Sequence, residues 1–404
     1  MSFLSFNLVL IDFKNTFSLS EMNKFKLHNT LITIGSNAFV SLRDFIKKNK
    51  PTKIFVLVDR NTKKYCLPIF LQKNYLSKRS IIIEVDSFTL VNNSESLKSM
   101  HVVTEICKNL LMQNIDRNSL IINLGGGVIC DLGGFIASVI KRGVPFINVP
   151  TTFMSQIDAS IGGKVAVNCN NYKNQIGLFN DPELVIIYPP YNLHLHDSDF
   201  HHGLSEVLKY GLIIDKVFWK NLTIDQNSNI CFKTKLITKD SDLEELISEC
   251  VKIKIGLVKS DYYDENSRRK LNFGHSISHA LESCSLEQAN CAKSSYALHH
   301  GSALSLGMIC ETYLSYKKFK FTKNMLNEVV AKISKLFPYI HYNEFGFRNS
   351  FKEYLKLDKK NIDGIYQFTL INAIGDSVIN IPISDSEVLE SLDYYDQIYM
   401  NGFN

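Results

Sequence analysis

The sequence of 404 residues contains no Cys-x-x-Cys pair, and its nine cysteines show no regular spacing. This pattern is typical of reduced thiols in a cytosolic protein rather than of a disulfide framework. The N-terminal segment also lacks a basic leader and an Ala-x-Ala cleavage site, so we expect no secretory signal. From these absences we predict a cytoplasmic protein.

The chain also has little excess charge of either sign. It carries 45 Lys and Arg residues against 40 Asp and Glu residues, a net charge of +5. So small an excess does not indicate nucleic acid as a partner, although anionic small molecules remain possible ligands. With 45% hydrophobic residues, the composition is that of a globular protein with a full core, and the length suggests two or three domains.

An unbroken hydrophobic run long enough to cross a bilayer is missing as well. The segment that most resembles such a run is residues 120–140, in which Asp131 is the single charged residue. Three consecutive glycines interrupt this stretch and a Gly-Gly pair follows, so we predict a strand, a tight turn and a buried helix. We expect no membrane partner.

The predicted secondary structure differs between the two halves of the chain. Strand patterns over 52–59, 80–85, 119–124, 144–149 and 184–188 alternate with helical patterns over 94–113 and 128–140. This alternation predicts an α/β domain with a parallel sheet over residues 1–190. Helical periodicity then dominates, over 200–214, 242–258, 273–284, 302–318 and 323–336, and a β-rich run appears only at 366–371. Residues 191–404 are therefore predicted to form a mostly α-helical domain.

The glycine run Gly125-Gly126-Gly127 follows a predicted strand and opens a predicted helix. Glycine allows close approach of the backbone to a ligand, and a helix N-terminus favours phosphate. The G-x-G-x-x-G fingerprint of dinucleotide sites is absent, however, and a plain tight turn explains the run equally well.

Histidines suggest a metal site but do not define it. His275 and His279 lie four residues apart on a predicted helix, and further candidates are His300 and Glu206. Two imidazoles and a carboxylate would suit a catalytic zinc ion, whereas an isolated H-x-x-x-H pattern more often reflects packing. The histidine-rich segment 194–202 (HLHDSDFHH) is interpreted as solvated surface.

Several lysines lie beside glycine or asparagine in apolar surroundings, namely Lys164, Lys173 and Lys209. One lysine by itself is usually a solvated surface charge. Several that converge on one cleft would form an anion site.

Taken together and in order, the motifs resemble the sugar-phosphate cyclases, and among them the 3-dehydroquinate synthase family. The resemblance rests on GGGVICDLGGF, KRGVPFINVPTTFMSQIDASIGGK, KNQIGLF, GLSEVLKYG, RRKLNFGHSISHALE, LHHGSALSLGM and LDKK, between residues 93 and 360. It implies an N-terminal α/β nucleotide-binding domain and a helical metal- and substrate-binding domain.

The resemblance also implies a role for each matching residue. Zinc, or cobalt, would be bound by Glu206, His275 and His300, which makes His279 a substrate-side residue. The positions that match NAD-binding residues are Asp59, Asn61, Glu95, Lys98, Gly126, Gly127, Asp131, Thr151, Thr152 and Lys173. The positions that match substrate-binding or catalytic residues are Asp158, Lys164, Asn174, Lys209, Lys254, Arg268, Asn272, His279, Asp358, Lys359 and Lys360. Arg142 matches an arginine that reaches the active site of the neighbouring subunit, which implies a homodimer.

The implied substrate is 3-deoxy-D-arabino-heptulosonate 7-phosphate, which carries a phosphate and a carboxylate. The family reaction oxidises carbon 5 transiently with NAD, eliminates phosphate, reduces the ketone again and closes the ring by an intramolecular aldol step. Lys254 and Arg268 would bind the carboxylate, and the other cations and amides would surround the phosphate. The product would be 3-dehydroquinate, an intermediate of the shikimate pathway to chorismate and the aromatic amino acids.

Two positions depart from the family pattern. Ser278 replaces the second glycine of G-H-x-x-G-H-A-x-E, and Ser302 replaces the acid of H-G-E after the last ligand. The segment between His279 and His300 is also longer than in the family pattern. Loss of the acid is expected to affect how the zinc ligands are oriented.

Three alternatives remain at this point. A sister cyclase would lack the substrate carboxylate and hence the carboxylate-binding pair, which is present here. A metal-dependent polyol dehydrogenase would release NADH and would need fewer cations. A non-catalytic, decayed paralogue draws support only from Ser278 and Ser302.

Overall fold

The structure is a computed structural model that describes residues 8–11, 24–88, 94–170, 172–225, 240–290, 298–342, 347–356, 361 and 364–400. The chain divides into two compact units. The first, here called the sheet unit, comprises Asn15–Phe200 and Leu236–Lys259. The second, here called the helical unit, comprises Met1–Lys14, His201–Lys235 and Ser260–Asn404.

A seven-stranded sheet forms the centre of the sheet unit. In chain order its strands are β2 (Lys24–Leu27), β3 (Thr30–Ile34), β4 (Ile54–Val58), β5 (Ser80–Glu84), β6 (Leu120–Gly125), β7 (Phe146–Pro150) and β10 (Leu184–Ile187). Their spatial order is β2-β3-β10-β7-β6-β4-β5. Every neighbouring pair is parallel except β2 and β3, which are antiparallel.

Helices cover both faces of this sheet. They are α1 (Ala38–Asn49), α2 (Arg60–Tyr65), α3 (Leu67–Asn74), α4 (Met100–Met112) and α5 (Gly127–Val139). Successive side chains of a strand point to opposite faces, so one strand contributes residues to the hydrophobic cores on both sides of the sheet. Phe55 and Leu57 of β4 belong to one buried cluster, whereas Ile54 and Val56 belong to the other. This explains why the central strands are mostly apolar, and the two buried asparagines among them, Asn123 and Asn148, hydrogen-bond to each other at 2.9 Å.

A hairpin of β8 (Lys164–Cys169) and β9 (Tyr172–Phe179) forms a separate antiparallel ribbon in the sheet unit. A one-turn π-helix, Ser155–Ala159, precedes it. The unit is completed by α8 (Asp240–Ser260), of which all but the last residue belongs to it.

The helical unit is built mainly from helices. They are α6 (Asp197–Ile213), α7 (Lys216–Asn221), α9 (His275–Asn290), α10 (His300–Lys318), α11 (Lys323–Leu336), α12 (Phe347–Lys356) and α13 (Asp385–Met400). The start of α6, up to Phe200, is assigned to the sheet unit. Two short ribbons accompany them. One pairs β1 (Leu8–Ile11) with β11 (Leu222–Asp225), and the other pairs β12 (Tyr366–Ala373) with β13 (Asp376–Ile383).

The predicted fold class is confirmed: an α/β part built on a mainly parallel sheet precedes a mostly helical part. The predicted domain boundary at residue 190 stays a prediction. Within the described part of the chain, no helix has the length and apolar character needed to span a bilayer. The cysteines of the described ranges, which are Cys66, Cys107, Cys130, Cys169, Cys250, Cys284 and Cys310, are all free thiols.

Candidate active site

Three predicted cofactor segments lie at the carboxyl edge of the sheet. Asp59 and Asn61 follow β4, Gly126 and Gly127 follow β6, and Thr151 and Thr152 follow β7. Strands β4, β6 and β7 are immediate neighbours and parallel, so their carboxyl ends meet at one edge. In open parallel sheets this edge is where nucleotides bind.

The glycine turn after β6 is shaped by close packing. Gly126 is the N-cap residue of α5, and a Cβ on Gly125 would lie 2.5 Å from the Ile129 Cβ. Only glycine therefore allows the helix to begin so close to the strand. The turn presents the free N–H groups of the first turn of α5, which suits a phosphate ligand.

Asp59 has a local structural role as well. Its carboxylate caps α2 by accepting hydrogen bonds from the Thr62 N–H at 2.7 Å and the Thr62 hydroxyl at 2.9 Å. Burial raises the pKa of the Asp59 carboxyl, and the hydrogen bonds from Thr62 oppose this effect. The cap fixes this carboxylate at the end of the strand.

Five of the predicted site residues form a cluster of charged and amide side chains in the sheet unit. These residues, here called the polar cluster, are Glu95, Lys98, Asp131, Lys173 and Asn174. The Lys98 ammonium lies 2.7 Å from Asp131 Oδ2 and also donates to the Asn174 amide oxygen. Lys173 Nζ lies 3.8 Å from Glu95 Oε1. Burial raises the pKa of the Asp131 carboxyl, and the Lys98 ammonium opposes this.

Sequence reasoning missed Asn168, which links three members of the polar cluster. Its Nδ2 donates to Glu95 Oε1 at 3.0 Å, and its Oδ1 accepts from the Asn174 N–H at 2.8 Å. Its own backbone N–H donates to the Lys98 carbonyl at 2.7 Å. Asn168 lies on β8 within the segment KVAVNC, and its position between Lys164 and Lys173 was the available signal.

A separate ion pair of the sheet unit joins the π-helical turn to α8. Lys254 Nζ lies 2.7 Å from Asp158 Oδ1, and the Lys254 side chain is only 8% exposed. A buried lysine needs such a partner because desolvation of an ammonium group is costly. π-helical turns occur often at functional sites. Lys164, at the start of β8, is half-buried.

Arg142 lies on an unusual turn after α5. Lys141, Arg142 and Gly143 have φ values of 52°, 62° and 112°, so three successive residues adopt left-handed conformations. This backbone is strained at the two non-glycine positions, and such strain is often retained at functional positions. The Arg142 side chain is exposed.

The helical unit brings together Glu206 of α6, His275 of α9 and His300 of α10. One potential ligand atom from each lies within 4.8 Å of the others. The Nε2 atoms of His275 and His300 each lie 3.4 Å from Glu206 Oε1. No other group of three or more His, Cys, Asp and Glu side chains in the described part of the chain has this geometry.

The hydrogen bonds of the two imidazoles fit a metal ion. His275 Nδ1 lies 3.1 Å from the Phe273 carbonyl oxygen, and His300 Nδ1 lies 2.8 Å from Glu282 Oε1. Each Nδ1 thus has an acceptor within hydrogen-bond distance, so Nε2 of each ring is the nitrogen that would bind a metal ion beside the Glu206 carboxylate. Two imidazoles and a carboxylate with open positions form the ligand set of a catalytic zinc site.

The electrostatics of this triad favour an ionised Glu206. Burial by itself would raise the pKa of its carboxyl, but Lys209 and the two imidazoles hold the pKa well below its usual range. Burial, followed by Lys209, lowers the pKa of His275. For His300, burial is outweighed by Glu282 and Glu206, which raise its pKa to about 9.

Lys209 lies one turn after Glu206 on α6 and pairs with its Oε2. Both side chains are 2% exposed. A lysine buried to this extent is rare unless it is paired, and buried charges of this kind are frequent at catalytic sites.

The turn before His275 is held by α10. Gly274 has a φ of +80°, and a Cβ on Gly307 would lie 2.0 Å from the Gly274 carbonyl oxygen. The Gly274 N–H donates to Glu311 Oε2 at 2.6 Å. Helix α10 therefore carries one predicted ligand at its first residue and holds the turn that positions another.

Other predicted substrate residues lie near these ligands in the chain. The His279 ring centroid is 5.1 Å from that of His275, but His279 is not part of the triad. Arg268 is 1% exposed and donates to the Tyr262 carbonyl at 2.6 Å. The Asn272 Nδ2 is buried without a hydrogen-bond partner among the described residues. Asp358, Lys359 and Lys360 lie outside the described residues.

The prediction for segment 194–202 was wrong for its last two histidines. His194 and His196 are exposed, but His201 is buried and its Nε2 contacts the Leu336 carbonyl. His202 is half-buried and stacks on His299, with a centroid distance of 4.5 Å. Burial followed by the neighbouring His299 lowers the pKa of His202 to about 3. The reason is that this part of the segment is helical: α6 begins at Asp197 and includes both histidines, and packing of the helix covers their side chains.

Comparison with known proteins identifies the family. The sequence model described as the N-terminal part of 3-dehydroquinate synthase matches residues 88–202, and that of the C-terminal part matches residues 203–361. The chain belongs to the 3-dehydroquinate synthase family. The 3-dehydroquinate synthase of Parabacteroides distasonis is 33% identical over 354 residues, which cover 88% of this chain and 94% of that protein.

Solved structures show the same fold. A 2-deoxy-scyllo-inosose synthase complexed with carbaglucose-6-phosphate, NAD⁺ and Co²⁺ has a TM-score of 0.73 at 18% identity, over 92% of this chain and 99% of that one. A 2-epi-5-epi-valiolone synthase from Streptomyces hygroscopicus, with NAD⁺ and Zn²⁺ bound, has a TM-score of 0.69 at 20% identity, over 94% and 99%. At these identities the likeness establishes the fold alone.

Membership in the 3-dehydroquinate synthase family confirms the predicted activity. The chain is a 3-dehydroquinate synthase-type lyase, an enzyme that eliminates phosphate and closes a carbocycle.

Proposed function

We propose that this chain converts 3-deoxy-D-arabino-heptulosonate 7-phosphate to 3-dehydroquinate and phosphate, with NAD and a zinc or cobalt ion as cofactors. The observation that supports this proposal is the Glu206–His275–His300 triad, whose three potential ligand atoms lie within 4.8 Å of one another. The family models of both the N-terminal and the C-terminal part of 3-dehydroquinate synthase match this chain.

The chemistry of the cofactors sets what the protein must supply. When bound, NAD⁺ accepts and returns a hydride, and the metal ion acts as a Lewis acid toward the substrate hydroxyls. Glu206, His275 and His300 would bind the metal through one carboxylate oxygen and two Nε2 atoms. The buried Lys209 ammonium pairs with the same carboxylate and keeps it ionised, as binding of a cation requires.

For NAD, we assign the carboxyl edge of the sheet and the polar cluster. The N-terminus of α5 offers N–H groups to the pyrophosphate, with Gly126 and Gly127 allowing close approach. Asp59 is fixed at the end of β4 by its hydrogen bonds to Thr62, where a carboxylate accepts hydrogen bonds from ribose hydroxyls. The further positions assigned to NAD are Asn61, Glu95, Lys98, Asp131, Thr151, Thr152 and Lys173.

The substrate is a double anion, and the proposed binding residues match its two ends. Lys254 and Arg268, both buried, are assigned to the carboxylate. Asp158 forms an ion pair with Lys254. The residues assigned to the phosphate are Lys164, Asn174, Lys209, Asn272, His279, Lys359 and Lys360. In a site closed to water, such charge-assisted hydrogen bonds stabilise the phosphate as its negative charge grows during elimination.

We also propose a homodimer in which Arg142 contributes to the phosphate site of the neighbouring subunit. Two features support this: the side chain is exposed, and its backbone is held in a strained conformation. A cytoplasmic location is part of the same proposal and agrees with the free thiols among the described residues.

The test is a phosphate-release assay with the heptulosonate phosphate. Protein stripped with a chelator should release no phosphate, and addition of zinc together with NAD⁺ should restore release. Glu206→Gln, which keeps the side-chain shape but removes the charge, should lower restored activity by at least about 100-fold. Phosphate release that survives complete metal removal would contradict the proposed mechanism.

A further inference from the structure

The metal ligand His300 contacts a carboxylate that the predicted site did not include. Glu282 Oε1 lies 2.8 Å from His300 Nδ1, and the Glu282 side chain is 3% exposed. The same oxygen accepts a hydrogen bond from the Ser278 hydroxyl at 2.8 Å. Ser278 lies one turn earlier on α9 and is fully buried. One carboxylate oxygen thus lies within hydrogen-bond distance of both the Ser278 hydroxyl and His300 Nδ1.

The contact determines which nitrogen of His300 is free. The Glu282 carboxylate accepts a hydrogen bond from Nδ1–H, so Nε2, the atom 3.4 Å from Glu206 Oε1, is the ring nitrogen that would bind a metal ion. His275 has a neutral carbonyl oxygen in the equivalent place. A charged acceptor makes the stronger hydrogen bond and increases the basicity of the ligand. Of the two imidazoles, His300 is therefore the more firmly oriented.

The Ser278 hydroxyl holds the carboxylate in turn. A serine inside a helix commonly donates to the carbonyl four residues earlier. Ser278 instead donates to the carboxylate four residues later. This bond fixes the rotamer of Glu282 and satisfies part of its buried charge. The glycine typical of the family at this position could not make it.

We propose that Ser278 and Glu282 are positioning residues that orient His300 for metal binding, Ser278 acting through Glu282. The inference rests on the proposed function of the Glu206–His275–His300 triad. It also explains the departure from the family pattern at Ser278, because serine adds a hydrogen bond to Glu282 that glycine cannot make. Ser302 lies outside this network, since its hydroxyl is 3.3 Å from His202 Nδ1.

The experiment measures metal affinity without turnover. Metal-free protein is titrated with zinc against a chromophoric chelator, and cobalt-loaded protein is examined by visible absorption, which reports ligand geometry. Glu282→Gln should weaken zinc binding by about 10- to 100-fold and shift the cobalt spectrum. Ser278→Ala should weaken zinc binding by about 3- to 10-fold. Ser283→Ala, at another buried serine of α9, is the matched control and should leave both readouts unchanged.

The double variant separates a positioning pair from two independent effects. If Ser278 acts through Glu282, adding Ser278→Ala to Glu282→Gln should cause no further loss of affinity. A loss equal to the product of the two single effects would overturn the role of Ser278. Thermal unfolding of the metal-free variants shows whether each remains folded.

His300→Ala distinguishes failure of this inference from failure of the proposed site. If His300→Ala loses zinc while Glu282→Gln keeps wild-type affinity and spectrum, the positioning role is refuted and the metal site stands. If His300→Ala itself keeps wild-type zinc affinity, both the proposed metal site and this inference fall.

Discussion

The Asn168 amide oxygen accepts a hydrogen bond from the Asn174 backbone N–H at 2.8 Å. Asn174 has a φ of 54°, a conformation that asparagine tolerates better than most residues but that still needs support. Asn168 lies on β8 and Asn174 on β9, so the bond spans the hairpin end at which the polar cluster is assembled. Asn168 therefore organises residues assigned to both NAD and substrate.

We predict that Asn168→Asp weakens NAD⁺ binding by about tenfold, as expected when a buried donor is lost. The aspartate keeps the acceptor for Asn174 but places a carboxylate where Nδ2 now lies 3.0 Å from Glu95 Oε1. Calorimetric titration with NAD⁺ measures the effect. Asn170→Asp, at an exposed position of the same hairpin, is the control. Equal NAD⁺ affinity for Asn168→Asp and the wild type would contradict the role given to Asn168.

Mutation should distinguish the roles of three histidines of the helical unit, His275, His279 and His300, in metal binding. His275→Ala and His300→Ala are expected to weaken zinc binding by more than about 100-fold, the upper range for residues outside the ligand set. His279→Ala should retain zinc and lose activity, since it lies beside the triad without belonging to it. Metal analysis after dialysis measures this, with the exposed His196→Ala as the control. Equal metal loss from His275→Ala and His279→Ala would refute the ligand assignment.

The homodimer proposal predicts complementation between two inactive variants. Arg142→Ala and Lys164→Ala should each have little activity alone. If Arg142 serves the neighbouring subunit, a mixed dimer contains one intact site, and random reassortment should restore about a quarter of wild-type activity. The mixture is assayed after the subunits have exchanged. Activity equal to the mean of the two variants would indicate that Arg142 acts within its own subunit.

Stability should fall in mild acid because of His202. Its pKa is lowered to about 3 in the folded chain, by burial and then by His299, whereas an unfolded histidine titrates near 6.5. Between these values the unfolded chain binds the extra proton, so the contribution is fully present above about pH 6.5 and is lost as pH falls toward 3. The slope is at most about 1.4 kcal/mol per pH unit for this group.

The measurement is urea unfolding of the metal-free protein between neutral pH and mild acid. His202→Gln should flatten the fall in unfolding free energy, because the variant has no imidazole to protonate at this position. His196→Gln, at an exposed position, should leave the slope unchanged. An unchanged slope for His202→Gln would show that His202 is not responsible.

Much of the sheet unit could be predicted from hydrophobic runs. Strands β4, β6 and β7 are buried on both faces and are predominantly apolar, with one asparagine each in β6 and β7, which identifies them as buried strands. The hairpin β8–β9 was not predicted, because β9 is mostly exposed and lacks an alternating pattern. Strands β2 and β3 and helices α12 and α13 were also missed. The antiparallel β2 lies at the edge of the sheet, where burial imposes little pattern on the sequence.

The site was predictable where residue type determines chemistry. The proposed metal ligands and cations came from the family resemblance of motifs far apart in sequence, and the structure places Glu206 Oε1 3.4 Å from the Nε2 atoms of His275 and His300. Glu282 and Asn168 act on other site residues through hydrogen bonds, and such contacts depend on the fold. His201 and His202 were misjudged because their polar neighbours in sequence gave no sign that the first is buried and the second half-buried on α6.

The central claim is that this chain eliminates phosphate while NAD is recycled. The most direct measurement follows phosphate, 3-dehydroquinate and NADH together in one reaction of zinc-loaded protein with the heptulosonate phosphate and NAD⁺. We expect one phosphate and one 3-dehydroquinate for each substrate consumed, with no accumulation of NADH. Accumulation of NADH in step with substrate loss, or the absence of phosphate release from fully metallated protein, would contradict it.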